Sequence, residues 1–353
     1  MDRTLALQDF HVYIADITAA AKTRLSDFLN EHEEELGNLI INRLYELCNI
    51  VLQKQKTEEA SRVRYFQISL LRSYIPCGAF VYLLSAYGRD YFLDRRGVFL
   101  PVRVDCIAEP LQSLKKQLYE IVGKCRSGIL YTDADHELTE IMYFVSRRFA
   151  DNIRRYLWDF DESADVKAVA KEEPFFVKWG GHWEESATVF VGDGRLRNQE
   201  LFEILQRDND VEKVDTSYVY GNWDRVVFNE LTVIKKALLF QSFRYGSLLQ
   251  CRMESSVLYG SSFRKTFIKN TVFSGCSFRK CNFRQSKLEH VVFHECDLSG
   301  ADFRDFEFTE ISFRGSCMQK TLFTREMVPF LHLEAVQLQE IRIEPEGADV
   351  FFS

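Results

Sequence analysis

The sequence predicts a mixed α and β chain in two parts: an N-terminal all-α helical domain, then a solenoid built from a short repeat. Three observations carry that reading. Apolar residues recur at i, i+3 and i+4 through residues 1–165. A charged stretch, Asp161–Glu173, then reads as a linker. From Tyr218 to Phe323 every fifth residue is apolar without a break.

In the first part, segments near 5–30, 33–57, 60–93, 105–127 and 134–160 carry the helical spacing with charges between. Leu36, Leu39, Ile40, Leu44, Leu47 and Val51 form one such stripe. Asp133 or Asp135 is placed to cap the last segment, with Glu137 and Glu140 complementing its dipole. Pro76, Pro101 and Pro110 mark breaks or first-turn positions. A bundle of about five helices is expected over 1–165. Residues 174–195 alternate apolar positions around two glycine turns, which suggests a hairpin, and Leu196–Arg207 reads as a short helix. Residues 166–215 are therefore expected to be a linker and connector, or N-terminal cap, covering the open end of the solenoid.

The fivefold run fits neither a helix, which repeats every 3.6 residues, nor a strand, which repeats every 2. Its positions include Phe243, Leu248, Met253, Leu258, Phe263, Ile268, Phe273, Phe278, Phe283, Leu288 and Phe293. Small residues run in phase two positions earlier, among them Gly246, Cys251, Ser256, Ser261, Thr266, Thr271, Cys276, Cys281, Ser286 and Cys296. One large and one small inward residue per five describes a narrow tube filled by its own side chains. The units SSFRK (261–265), CSFRK (276–280), CNFRQ (281–285), CDLSG (296–300) and ADFRD (301–305) resemble the pentapeptide-repeat family. Phe306 and Ile311 at small positions, and Val257, Phe267 and Val272 at polar ones, depart from that pattern.

The resemblance implies a right-handed quadrilateral β-helix with four pentapeptides to a coil. Residues twenty apart would then stack at the ~4.8 Å spacing of neighbouring strands, about five coils making a rod of roughly 25 Å. It places the β-helix at 216–325, with 326–353 as an imperfect last coil or cap in which Leu333, Leu338 and Ile343 keep the phase.

Chemistry-bearing motifs are sparse. The chain has no Gly-rich phosphate loop, GxSxG, HExxH or DFG-like set. Nine cysteines form no CxxC pair and no zinc-spaced cluster, which points to a reducing compartment and a cytoplasmic, bacterial-type protein. Cys276 and Cys296 fall one coil apart in one column, where buried thiols acting as small fillers are expected. No apolar stretch approaches the ~20 residues of a membrane span, and MDRTLALQDFHVYIADI lacks signal-peptide organisation. His32 in EHEEE and His136 in DADHELTE have metal-site texture, but Glu-x-x-His is missing and solvated helix starts are expected. GGHWEE (180–185) reads as a hairpin turn with a partly buried His182. No catalytic residue, metal or cofactor is expected.

The richer signal lies outside the tube. The residue after each central apolar one should face solvent, and at every twentieth such position stand Arg244, Arg264, Arg284 and Arg304. Lys265 adjoins that column, and Arg279, Lys280 and Lys287 lie on neighbouring faces or corners. Over 241–325, thirteen Lys and Arg oppose eight Asp and Glu, net +5 in a chain of net −7. Arginines ~4.8 Å apart repel by roughly 0.9 kcal/mol in water. A bound anionic surface would reverse that sign, and the planar guanidinium fork suits carboxylate and phosphate. The alternative is that Arg is simply a soluble choice for a variable position.

The expected function is thus a non-catalytic binding or scaffold protein, docking an acidic protein, peptide or nucleic acid through Arg244, Arg264, Arg284, Arg304, Lys265, Arg279 and Lys280. The helical part could add a second contact or a homodimer interface. A second reading makes it an enzyme or part of a biosynthetic complex, with a pocket including Tyr65, Arg89, Asp90, Arg147 and Arg148 and the rod as docking arm. Some pentapeptide-repeat proteins mimic DNA by presenting an acidic rod to type II topoisomerases. Here the charge has the wrong sign, and that role would fall on Asp297, Asp302, Asp305, Glu307 and Glu310 alone.

Overall fold

The computed structural model describes residues 3–125, 128–182, 184–194, 205 and 219–344. The chain divides into two compact units, Met1–Asp193 and Gly194–Ser353.

The N-terminal unit opens with α1 (Arg3–Glu31) and α2 (Glu33–Lys56), followed by the meander β1 (Val63–Leu70), β2 (Val81–Tyr87) and β3 (Val98–Arg103). Helices α3 (Ala108–Lys124), α4 (Tyr131–Tyr156) and α5 (Ala164–Ala168) lead into the hairpin β4 (Lys171–Gly181) and β5 (Ser186–Gly192). The strands form one sheet in the order β3-β2-β1-β4-β5. β1 and β4 pair parallel and the remaining neighbours antiparallel. This part is not all-α, which corrects the helical reading of 60–93.

The physical reason is visible in β1. Phe66, Ile68 and Leu70 point into the core, yet Gln67 and Ser69 on the other face are also fully buried. A strand covered on both faces loses the in–out alternation that marks it, so its apolar run passes for part of a helix. The hairpin expected at 174–195 exists as β4 and β5, and it extends this sheet by pairing with β1. The helix expected over Leu196–Arg207 falls, Leu205 apart, outside the described residues. At the start of α4 the N-cap is Leu130, neither of the two aspartates expected there; Asp133 lies three residues on and accepts the Leu130 N–H at 2.8 Å. Further along α4, Ser146 ties the helix to the sheet, with its hydroxyl 2.9 Å from the Tyr82 hydroxyl and its carbonyl taking the Trp179 indole N–H at 3.0 Å.

In the C-terminal unit each strand pairs in parallel with the one twenty residues on. β6 (Val227–Asn229), β8 (Ser247–Leu249), β10 (Phe267–Lys269) and the first half of β12 (Lys287–His294) make one ladder. β7 (Thr232–Ile234), β9 (Arg252–Glu254), β11 (Val272–Ser274) and the second half of β12 make another. The inward column Phe243, Phe263, Phe283, Phe303 and Phe323 stacks with ring centroids 4.5–5.4 Å apart. Trp223 begins the same column and is 2% exposed, so the regular coil starts before Gly246, where the repeat units fit only loosely.

The small residues do more than leave room. Ser261, Thr266, Thr271, Cys276, Cys281, Cys296, Ser316 and Thr321 each donate to the backbone carbonyl twenty-three positions earlier. Ser256, Ser261, Thr271 and Ser316 also accept the backbone N–H twenty positions earlier. The position selects for a short side chain that can donate as well as for size, because a buried backbone group left unpaired is costly. Burial pushes the Cys281 thiol up, which keeps its S–H as the donor.

A residue at positive φ closes each five-residue unit, from Tyr220 (φ 63) through Lys265 (φ 56) to Lys320 (φ 59). Glycine fills this place at 260, 275, 300 and 315. Elsewhere an L side chain accepts a left-handed conformation that costs roughly 1–2 kcal/mol. Ser255 sits there at φ 49 on the exposed surface. Ser255→Gly is therefore expected to raise stability by about 0.5 kcal/mol once the extra chain entropy of glycine is offset. A urea midpoint at or below that of the unsubstituted protein would contradict this.

The anomalous units behave differently. Phe306, at a small-residue position, is buried against Phe303 and Phe323, while Phe308 is pushed partly outward along β13 (Glu307–Ser312). Beyond β14 (Leu322–Thr324), helix α6 (Ala335–Glu340) precedes β15 (Arg342–Glu344), which pairs with β14. Gln337 donates to the Phe313 and Ser316 carbonyls, and Glu340 accepts the Met318 N–H. These side chains cover a strand edge that would otherwise invite other chains. Leu338 and Ile343 keep the fivefold phase in sequence, but α6 interrupts the coil and leaves them 48% and 45% exposed.

Candidate interaction face of the solenoid

Since the tube is packed with rings, its chemistry is confined to outer faces. One face runs between two corners. Tyr220, Phe240, Gly260, Lys280 and Gly300 mark the first, and Arg225, Tyr245, Lys265, Gln285 and Asp305 the second. Arg244, Arg264, Arg284 and Arg304 climb this face, with Lys280 and Lys265 on its two corners. Arg279 precedes the Lys280 corner on the adjoining side. The fold thus gathers all seven sequence-predicted cations around one face.

Their partners differ sharply. Arg244 is only 6% exposed, and its guanidinium lies 2.9–3.1 Å from Asp224 Oδ2. Asp224 Oδ1 also accepts the Arg244 N–H at 3.0 Å and the Ser242 hydroxyl at 2.6 Å. The expectation that every position after the apolar one faces solvent therefore fails at Arg244. Arg304 lies over the fully buried Asp302, at 2.7 and 2.9 Å from its two oxygens. Arg284 pairs with Asp305 at 2.8 Å. In the middle of the column, Arg264 donates to the neutral Gln285 amide oxygen at 2.9 Å. Lys265 is exposed, with its amine 5.2 Å from the centre of the Tyr245 ring. Arg279 is exposed and 3.8 Å from Asp297.

Carboxylates therefore neutralise Arg244, Arg284 and Arg304, while Lys265 and Arg225 stand exposed on the corner beside them. Sequence reasoning passed over Arg225, exposed at the corner one coil below Tyr245, because only the columns after apolar positions were compared. The corner column Arg225, Tyr245, Lys265 sets an aromatic ring between two cations, a pattern suited to an anionic group. On a neighbouring side, Glu289 sits between Lys269 (2.8 Å) and Lys287 (3.0 Å), whose hydrogen bonds pull its carboxyl down to about 2. The acidic residues considered for DNA mimicry are dispersed. Asp302 is buried, Asp305 and Asp297 face Arg284 and Arg279, and Glu310 pairs with His290 at 2.7 Å.

The remaining sequence candidates sit elsewhere. His32 stacks on Phe28 and its Nδ1 is 2.9 Å from the Phe28 carbonyl. Among the described residues no three His, Cys, Asp or Glu side chains converge as a metal site. Cys276 and Cys296 are buried free thiols, each donating to backbone carbonyls. Arg89 and Arg64 hold Glu172, and Arg147 and Arg148 lie against Tyr143 and Phe144 on α4. Tyr65 stacks on Phe176 and lies tilted against Tyr91 at 4.6 Å. No helix among the described residues is long and apolar enough to cross a membrane.

Parallel coils around an interior filled with side chains define a β-solenoid. Residues 247–323 match the family model described as Pentapeptide repeat region, and this part of the chain is a pentapeptide-repeat solenoid; the N-terminal part carries no family assignment. No curated protein matches the chain. Solved structures similar to it include a pentapeptide repeat protein of the cyanobacterium Cyanothece 51142, 15% identical over 29% of this chain and 88% of that one, with a TM-score of 0.21. Another, from the thylakoid lumen of Arabidopsis thaliana, is 21% identical over 35% of this chain and 77% of that one, with a TM-score of 0.23. A third is a plasmid-mediated fluoroquinolone resistance protein, 15% identical over 35% and 67%, with a TM-score of 0.22.

Proposed function

We infer that the chain is a non-catalytic binding protein whose solenoid, wound as the right-handed quadrilateral helix of its repeat family, docks an acidic protein or peptide segment in a reducing, cytoplasmic setting. The observation that carries this is the exposed corner column Arg225, Tyr245 and Lys265, beside a face whose arginines 244, 284 and 304 are neutralised by the solenoid's own carboxylates. The patch is short. A nucleic-acid duplex would call for cations along the whole rod, whereas Asp224, Asp302 and Asp305 already occupy three of the four arginines. A carboxylate-rich segment fits the short cationic corner of Arg225 and Lys265.

The test is fluorescence anisotropy of a labelled ten-residue glutamate-rich peptide and a labelled duplex DNA at low and moderate salt. Arg264→Glu combined with Lys265→Glu is expected to weaken peptide binding at least about tenfold, a change of ~1.4 kcal/mol. Equal peptide affinity in the double variant sinks the proposal. DNA binding that is tighter than peptide binding and falls steeply with salt would replace it with the nucleic-acid reading.

A further inference from the structure

The N-terminal unit carries an open groove of about 800 Å³ between α3, the end of the 72–77 turn and the start of α4. Its volume is that of small-molecule sites. Lys115 and Lys116 enter it from α3, together with Tyr119, and Tyr131 enters from the first turn of α4. The two tyrosine rings lie 4.8 Å apart, tilted at 48°. Tyr119 is held in place by its hydroxyl, which donates to Asp135 at 2.8 Å. Tyr131 is 53% exposed, a large ring left in water at the groove's edge. Gly123 keeps the space between the helices open, since an added Cβ there would meet nothing closer than the Tyr131 hydroxyl at 3.9 Å.

The charges are arranged for an anion. Lys115 donates to the Pro76 carbonyl at 2.6 Å, its amine lies 4.9 Å from the Tyr119 ring centre, and it makes no ion pair with any described residue. Lys116 is exposed and makes no ion pair with any described residue. Glu120 is the one acidic residue in the lining, and it makes no ion pair with either lysine. Two ammonium groups beside an aromatic pair favour a flat ring carrying a negative group, the ring stacking on Tyr131 and the anion meeting Lys116.

We propose that this groove binds a small organic anion with a planar aromatic body. The site is independent of the solenoid face, in its residues and in the class of ligand. No covalent step is involved.

The experiment uses the full chain and the fluorescent aromatic sulfonate 8-anilinonaphthalene-1-sulfonate as probe. Saturable one-to-one binding is expected, weakened at least about tenfold by Lys116→Glu and, separately, by Tyr131→Ala. Both residues are exposed, so thermal melting is expected to stay unchanged and to certify the fold of each variant. Lys235→Glu, exposed in the other unit and outside the arginine face, should leave probe binding as it was. Absent or non-saturating binding in the unsubstituted protein overturns the proposal. So does undiminished affinity in either groove variant.

Discussion

Phe283→Ala is expected to destabilise the solenoid by about 4 kcal/mol, enough to consume most of the stability of an ordinary domain. Phe283 is fully buried, with Phe263 5.0 Å below it, Phe303 4.5 Å above it, and Phe278 and Phe293 edge-on or tilted at 5.7 and 5.9 Å. A ring removed from the middle of such a stack leaves a void that neighbouring coils cannot close, because their backbones are locked at strand spacing by ladders on either side. Substitution at the final coil, such as Phe323→Ala, should cost less, since that end is covered only by the short α6 and β15 segment. Urea denaturation followed by near-ultraviolet circular dichroism checks both. A loss below ~1 kcal/mol for Phe283→Ala would show that the coils relax far more than their pairing suggests.

The second large effect concerns a charge. Asp224→Ala is expected to cost about 3 kcal/mol by taking from the buried Arg244 guanidinium the carboxylate that holds its Nε and Nη2. Asp224 accepts from the Arg244 side chain, the Arg244 backbone N–H and the Ser242 hydroxyl, so its removal takes one shared acceptor from several donors together. Replacing both partners, as Asp224→Asn with Arg244→Met, should recover much of the loss, since a buried pair is dearer to break than to replace. This comparison also separates roles. If Arg244 served recognition, its loss would weaken the glutamate peptide as strongly as loss of Lys265, whereas a structural Arg244 leaves peptide affinity almost unchanged in the rescued variant. Equal stability of Asp224→Ala and the parent protein would remove the argument that the lower end of the column is self-neutralised.

The solenoid was legible because its signal is periodic and geometric. A five-residue phase held from Tyr218 to Phe323 leaves few alternatives, and stacking at twenty followed from the family resemblance. The chemistry of the small positions was half legible. Their size showed in Ser261, Thr266 and Cys281, but their role as donors to carbonyls twenty-three residues back became apparent only with the backbone in place. The arginine column was read correctly as a column and incompletely as a charge. Asp224 stands twenty residues before Arg244, and Asp305 twenty-one after Arg284, so listing acids in the same frame as the arginines would have exposed both pairs. The N-terminal sheet was hidden for a different reason. In β1, burial on both faces erased the alternation of polarity, and the neighbouring Tyr82 and Leu84 of β2 belong to the same apolar run. The hairpin at β4 and β5 was visible, but no local pattern announces that its partner lies more than one hundred residues earlier, at Val63–Leu70.

Every pairing within the coils spans twenty residues, and each coil rests only on the one below and the one above. Length in this molecule is therefore counted in whole steps. Excising or duplicating twenty residues between equivalent places, for example 256–275, returns serine to serine-like position and ring to ring, and shifts everything beyond by one strand spacing, ~4.8 Å. An insertion that is not a multiple of twenty moves every later side chain to a different place on its coil. Such a rod behaves as a ruler with fixed graduations. Its reach can change by copying or losing a unit while the two ends, and whatever they hold, stay as they were.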